Sequence, residues 1–158
     1  MRPALAAAAG LVLAVGVSLC GLREGEQPYR RYATLAEAAA GEGERGWLPA
    51  WMPPDATELH VQGDLDTNDW WIRARVPAAG VQSLRRSVVP VPADSVRVRQ
   101  PRGRPAWWME SLVEQHPEND NGLHADLFRG TGDPVPRTTV IAFDRASDAV
   151  FIWTRGVR

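Results

Sequence analysis

Residues Glu58 to Val76 alternate with a period of two on either side of a polar run, Asp64-Leu65-Asp66-Thr67-Asn68-Asp69, and no other feature restricts the fold of this 158-residue chain as tightly. Alternation of this kind sends successive side chains to opposite faces and describes a half-buried strand. Two such strands joined by turn-forming Asp, Thr and Asn describe a hairpin. A four-residue loop that pairs Asp64 with Asp69 sets Gly63 opposite Trp70, Val61 opposite Ile72 and Leu59 opposite Ala74 on one side. The other side then carries Gln62 opposite Trp71, His60 opposite Arg73 and Glu58 opposite Arg75. This register collects the aliphatic residues on one face and leaves an opposite-charge pair on the other.

The remaining segments fit around that hairpin. Thr34-Leu35-Ala36-Glu37 has the spacing of a capping box and predicts a short helix over Ala36–Ala40, ended at Gly41. Prolines punctuate Gly46 to Pro54, so its two tryptophans, Trp47 and Trp51, are expected to lie on the sheet as a lid. Pro77 suits a first helical position, with Val81, Leu84 and Val88 at helical spacing until Pro90. Ser95 to Arg99 reads as a short strand, and Pro105 to His116 as a third helix with Trp108, Met109, Leu112 and Val113 in an apolar stripe. After the turn residues Glu118 to Gly122, a strand over Leu123–Phe128 is followed by a second hairpin, Thr138–Asp144 and Ala149–Arg155. The order of elements predicts an α+β domain: an antiparallel sheet with two hairpins, covered on one face by about three short helices.

Arg2 precedes an uncharged stretch whose run from Ala4 to Leu22 approaches the ~20 helical residues that cross a hydrocarbon core. Residues 1–22 therefore read as an N-terminal membrane-targeting helix, either a signal anchor or a signal peptide. Residues 23–31 read as a polar linker, and 32–158 as a single extracytoplasmic domain. Val17-Ser18-Leu19-Cys20 resembles a bacterial lipobox, departing from it at Leu19, which makes Cys20 a candidate lipidation site. Beyond Cys20 there is no cysteine, so the domain has neither a disulfide nor a thiol nucleophile. All 18 basic residues are Arg, and a net charge of −1 gives no general attraction for nucleic acid or for acidic membranes. No cofactor is implied.

Gly46-Trp47-Leu48-Pro49-Ala50-Trp51-Met52-Pro53-Pro54-Asp55-Ala56-Thr57, the Asp64–Trp71 segment and the closing Ala142–Arg155 hairpin resemble a family of short, uncharacterised bacterial exported or lipoprotein-like proteins. That family carries Trp-Leu-Pro, Pro-x-Ala-Thr and Asp-Thr-Asn motifs in this order. The resemblance implies an exported bacterial domain, and a better lipobox in that family keeps lipidation at Cys20 in view. It supplies no substrate and no catalytic residue.

Three groups of residues merit attention as sites. Trp71, Arg73, Arg75 and His60 share the outer face of the first hairpin, where Arg97, Arg99, Arg102 and Arg104 can join them; Arg and Trp often dominate interface energies. Asp64, Asp66 and Asn68 have the first spacings of a calcium loop. Asp69 stands where that loop needs Gly, and Arg75 where it needs Glu. His124 and Asp126 share a strand face, with His116 nearby if the turn folds back, as a hydrolase-like acid/base pair would require. No nucleophile elbow, metalloprotease helix or phosphate loop accompanies them. The expectation is a domain that binds a protein partner, with small enzyme and calcium-stabilised module as alternatives. It is expected to face outward from a bacterial cytoplasmic membrane, held there by its N-terminal segment or by lipid at Cys20, or else to be secreted.

Overall fold

The computed structural model describes residues 28–42, 45–96, 101–103, 105–108 and 125–154. The expected targeting helix with Cys20, most of the linker, and the residues His116 and His124 fall outside these ranges, as do Arg97, Arg99, Arg104 and the third helix beyond Trp108. Among the described residues no helix is long and apolar enough to cross a membrane.

The chain forms an α+β domain dominated by a seven-stranded sheet. Its strands are β1 (Tyr29–Thr34), β2 (Thr57–Asp64), β3 (Asp69–Arg75), β4 (Val88–Pro90), β5 (Ala125–Gly130), β6 (Thr139–Asp144) and β7 (Ala149–Thr154). Two short helices, α1 (Leu35–Glu42) and α2 (Ala78–Arg85), accompany them. The strand order is β1-β2-β3-β7-β6-β5-β4, and every neighbouring pair is antiparallel. The two hairpins are β2–β3 and β6–β7, and they meet where β3 pairs with β7 at the centre of the sheet.

The first hairpin has the expected register from His60↔Arg73 to Asp64↔Asp69. Beyond His60 the pairing shifts, because Glu58 takes a left-handed backbone with φ of 50°, and Thr57 rather than Glu58 stands opposite Arg75. A bulge of this kind inserts one residue and restores alternation afterwards. Glu58 still reaches Arg75, Oε1 to Nη1 at 3.1 Å.

Tyr29, Arg30 and Arg31, expected in the tether, open β1 instead. α1 follows directly: Thr34 Oγ1 accepts the Glu37 N–H at 3.3 Å, and Glu37 Oε2 accepts the Ala33 N–H at 2.7 Å, the reciprocal satisfaction of a capping box. The helix continues through Gly41 to Glu42, whose buried carboxylate accepts hydrogen bonds from the Tyr32 hydroxyl and from Arg45. Burial first, then Glu42's hydrogen bond and charge, pushes Tyr32 up to about 12. In α2, Pro77 sits just before the helix as its cap residue, and Val88 leaves the helical pattern to pair with Gly130 in β4. Ala93–Ser95 is a single 3-10 turn instead of the start of a strand. Trp108 N–H donates to Pro105 O at 2.9 Å in a turn, and the rest of the expected third helix lies outside the described residues.

Both faces of the sheet are buried, a correction to the expected single cover. On the helix side Val61, Ile72, Ile152, Ile141 and Phe128 form one cross-strand row. Ala38 of α1, Leu84 of α2, Trp47 and Met52 pack against this side. Gly63 makes room for the Trp47 lid, since a Cβ there would lie 2.5 Å from the indole. On the opposite side Trp71, Phe151, Trp153, Val140, Ala142 and Leu127 are covered by Val91, Val96, Trp107 and Trp108.

Candidate binding surface

The cross-strand register assembles the surface. Arg31 of β1 stands opposite His60 of β2, which stands opposite Arg73 of β3, so three basic side chains occupy consecutive positions on one face. Directly opposed residues of an antiparallel pair have Cβ atoms about 5 Å apart, so the fields of both guanidinium groups reach His60 and disfavour its protonation. The row then passes to Phe151 of β7, and the Arg73 guanidinium lies 6.0 Å from its ring centroid. Arg31 and Arg73 form no ion pair with a described residue, whereas Arg45, Arg75, Arg85 and Arg145 each have a carboxylate partner.

Aromatic rings border this row. Tyr29, two residues before Arg31 on the same face, is 41% exposed. It stacks on His60 at 6.0 Å and on Trp107 at 5.8 Å, and His60 and Trp107 stack at 5.5 Å. The Tyr29 hydroxyl lies 2.8 Å from His60 Nδ1. Trp107 meets Trp108 edge-on, and Trp108 in turn meets Phe151 and Trp153 edge-on, so the stack is continuous with the buried cluster below. The Gln62 amide donates to Arg102 O at 3.4 Å, fastening the connection that carries both tryptophans to β2. Desolvation, followed by the fields of Arg73 and Arg31, holds His60 below its ordinary value against the weaker pull of Glu58.

Of the residues singled out from sequence, His60 and Arg73 lie on this surface. Trp71 is 2% exposed and belongs to the core beneath it, as the partner of Trp153, so it offers no contact to a ligand. Arg75 is engaged by Asp148, Nε to Oδ1 at 2.9 Å, and by Glu58. Sequence reasoning missed Tyr29 and Arg31, because they sit in a polar stretch that reads as a tether. Their alternation two residues apart was the available signal.

The other candidates are occupied by structural work. Asp64 Oδ1 accepts the N–H groups of Asp66 at 3.0 Å and Thr67 at 3.2 Å, while Asp69 Oδ2 accepts from the Thr67 hydroxyl at 2.9 Å. Asn68 supplies the left-handed residue at φ 54°, as side chains of this type do in turns. Among the described residues no group of three His, Cys, Asp or Glu side chains is placed to hold a metal ion. Asp126 is bound by Arg145 at 2.7 Å and Arg85 at 3.3 Å, and these partners, Arg145 foremost, hold its carboxyl below the usual range. A general base working near neutrality needs the opposite shift. Arg85 is itself packed over the rings of Phe128 and Phe143. A cleft of about 320 Å³ between the Trp51 lid, α2 and Pro134-Val135 is lined by apolar residues with Ser83 and Ser87, and none of its lining side chains supplies acid–base chemistry.

Residues 26–74 match the YbbD head domain family. The matched stretch runs from just before β1 to the end of β3 and includes Tyr29, Arg31, His60 and Arg73, while the closing hairpin lies beyond it. It also contains the Trp-Leu-Pro and Asp-Thr-Asn segments. No curated protein and no solved structure matches the chain.

Proposed function

We propose that this chain is a membrane-tethered extracytoplasmic binding domain, and that it takes a partner bearing acidic groups on the Arg31–His60–Arg73 face. The observation that carries the reading is the row itself: exposed Arg31 and half-buried Arg73 lie on one face with His60 between them, neither forms an ion pair with a described residue, and both add positive field at His60. An acidic group on a partner supplies a counter-charge. The exposed rim of Tyr29 and the half-buried Trp107 add planar apolar area beside the charges, the pairing of aromatic and Arg contacts that concentrates binding energy. The uncharged run Ala4–Leu22 after Arg2 supports the tether and the outward placement.

The test is titration of the full chain, held in nanodiscs of zwitterionic lipid, with a poly-glutamate probe. Binding should weaken with added salt, since exposed charges are screened within about 10 Å at 0.1 M. The double reversal Arg31→Glu/Arg73→Glu should weaken it at least tenfold, as removal of two contacts each worth about 1 kcal/mol implies. Equal binding by parent and double variant would refute the reading.

A further inference from the structure

We infer that the acidic partner of this face is the anionic head-group layer of the membrane to which the chain is tethered. The inference rests on the binding reading above and adds the identity of the partner. Three observations point to a lipid surface. Tyr29 is the first residue of β1 and lies only seven residues after Leu22, the end of the apolar run. A fully extended chain of that length reaches about 25 Å, and a flexible one averages about 15 Å, so the face is held within one to three screening lengths of the bilayer. Few other anionic surfaces are kept at so high a local concentration.

The composition of the face fits the same partner. Tyr and Trp are the side chains that settle at the membrane–water boundary, and here Tyr29 and Trp107 stack side by side at the point where the tether joins the domain. Arg31, exposed, lies two residues beyond Tyr29 on the same face of β1, and Arg73 lies two strands away on that face. Each Arg near an anionic surface strengthens attachment about fivefold. Glu58, whose charge reaches His60, and Asp148, whose charge meets that of Arg73, are both ion-paired with Arg75.

The experiment uses the full chain reconstituted into vesicles of phosphatidylethanolamine with or without phosphatidylglycerol, each containing a lipid with a head-group quencher. Trp107 emission is obtained by subtracting the signal of Trp107→Phe. Quenching of Trp107 in the anionic vesicles, reduced at least twofold in the zwitterionic ones and in Arg31→Glu/Arg73→Glu, is the result expected. Arg31→Gln/Arg73→Gln, with near-ultraviolet circular dichroism of both variants, separates loss of charge from loss of fold. Equal Trp107 quenching in the two lipid compositions would overturn the inference. If poly-glutamate binding nevertheless depends on Arg31 and Arg73, the binding reading stands and the partner is a protein or other polyanion. If the charge variants alter neither measurement, both readings fall.

Discussion

On the helix side of the sheet the buried row is aliphatic, Val61, Ile72, Ile152 and Ile141, and its cover is a pair of short helices and a tryptophan lid. On the opposite side the row is aromatic, Trp71 beside Trp153 and Arg73 beside Phe151, and its described cover is Val91, Val96, Trp107 and Trp108, set on turns and one 3-10 turn. The aliphatic side is closed: β-branched residues interlock across strands, and the helices over it satisfy their own backbone. The aromatic side grades outward through edge-on rings, from Trp153 to Trp108 to Trp107, and ends at Tyr29 and His60 on the surface. Large rings can be partly buried and still present a face to a partner, which aliphatic side chains do less well. One side of this sheet is core throughout, and the other runs from core to an exposed aromatic and basic rim.

Removing a side chain from the closed face should produce the largest effect. Ile152→Ala, at a fully buried position on a central strand, should lower the free energy of unfolding by about 4 kcal/mol in a urea titration, because neighbouring strands cannot collapse into the cavity. Trp108→Ala on the aromatic side should cost less, about 3 kcal/mol, since the turn that carries it can settle onto Phe151 and Trp153. If the second loss equals or exceeds the first, the aromatic cover is as rigid as the helical one and the contrast is broken.

The smallest effect is in the response to pH, and there the two sides should differ in direction. His60 on the aromatic side is held below 6.5, so the folded chain binds this proton less readily than the unfolded chain. Its contribution is intact above the unfolded value and is lost as the pH falls below it, and His60→Gln should flatten that part of the stability profile. Tyr32 on the helix side is raised from 10.0 to about 12, so its contribution is intact below 10.0 and lost as the pH rises through about 12. An acid limb unchanged by His60→Gln would show that the histidine is not strained by its basic neighbours.

The elements set by near neighbours were legible. Both hairpins follow from alternation and turn residues a few positions apart, and β6, β7 and the pairing around Asp64–Asp69 lie where the pattern puts them. The capping box at Thr34 was equally local. β1 was not legible, because an edge strand that reads Tyr-Arg-Arg-Tyr has no apolar alternation to reveal it. Half the binding surface was hidden with it: the register of β2 and β3 brings His60 and Arg73 together, but Arg31 and Tyr29 arrive only when β1 pairs with β2. Alternation places Trp71 on the face where it is found but does not show that it is buried there, since what covers it comes from a distant connection.

From the residues alone came the strands, their turns and the side of each strand that each residue faces, because these depend on backbone geometry within a few positions. Which strands stand side by side, and hence that β3 and β7 join two separate hairpins into one sheet, was decided only in the tertiary structure. So was the conversion of one face into a graded aromatic and basic surface. Both depend on contacts between residues far apart in the chain, whose energies no local pattern records.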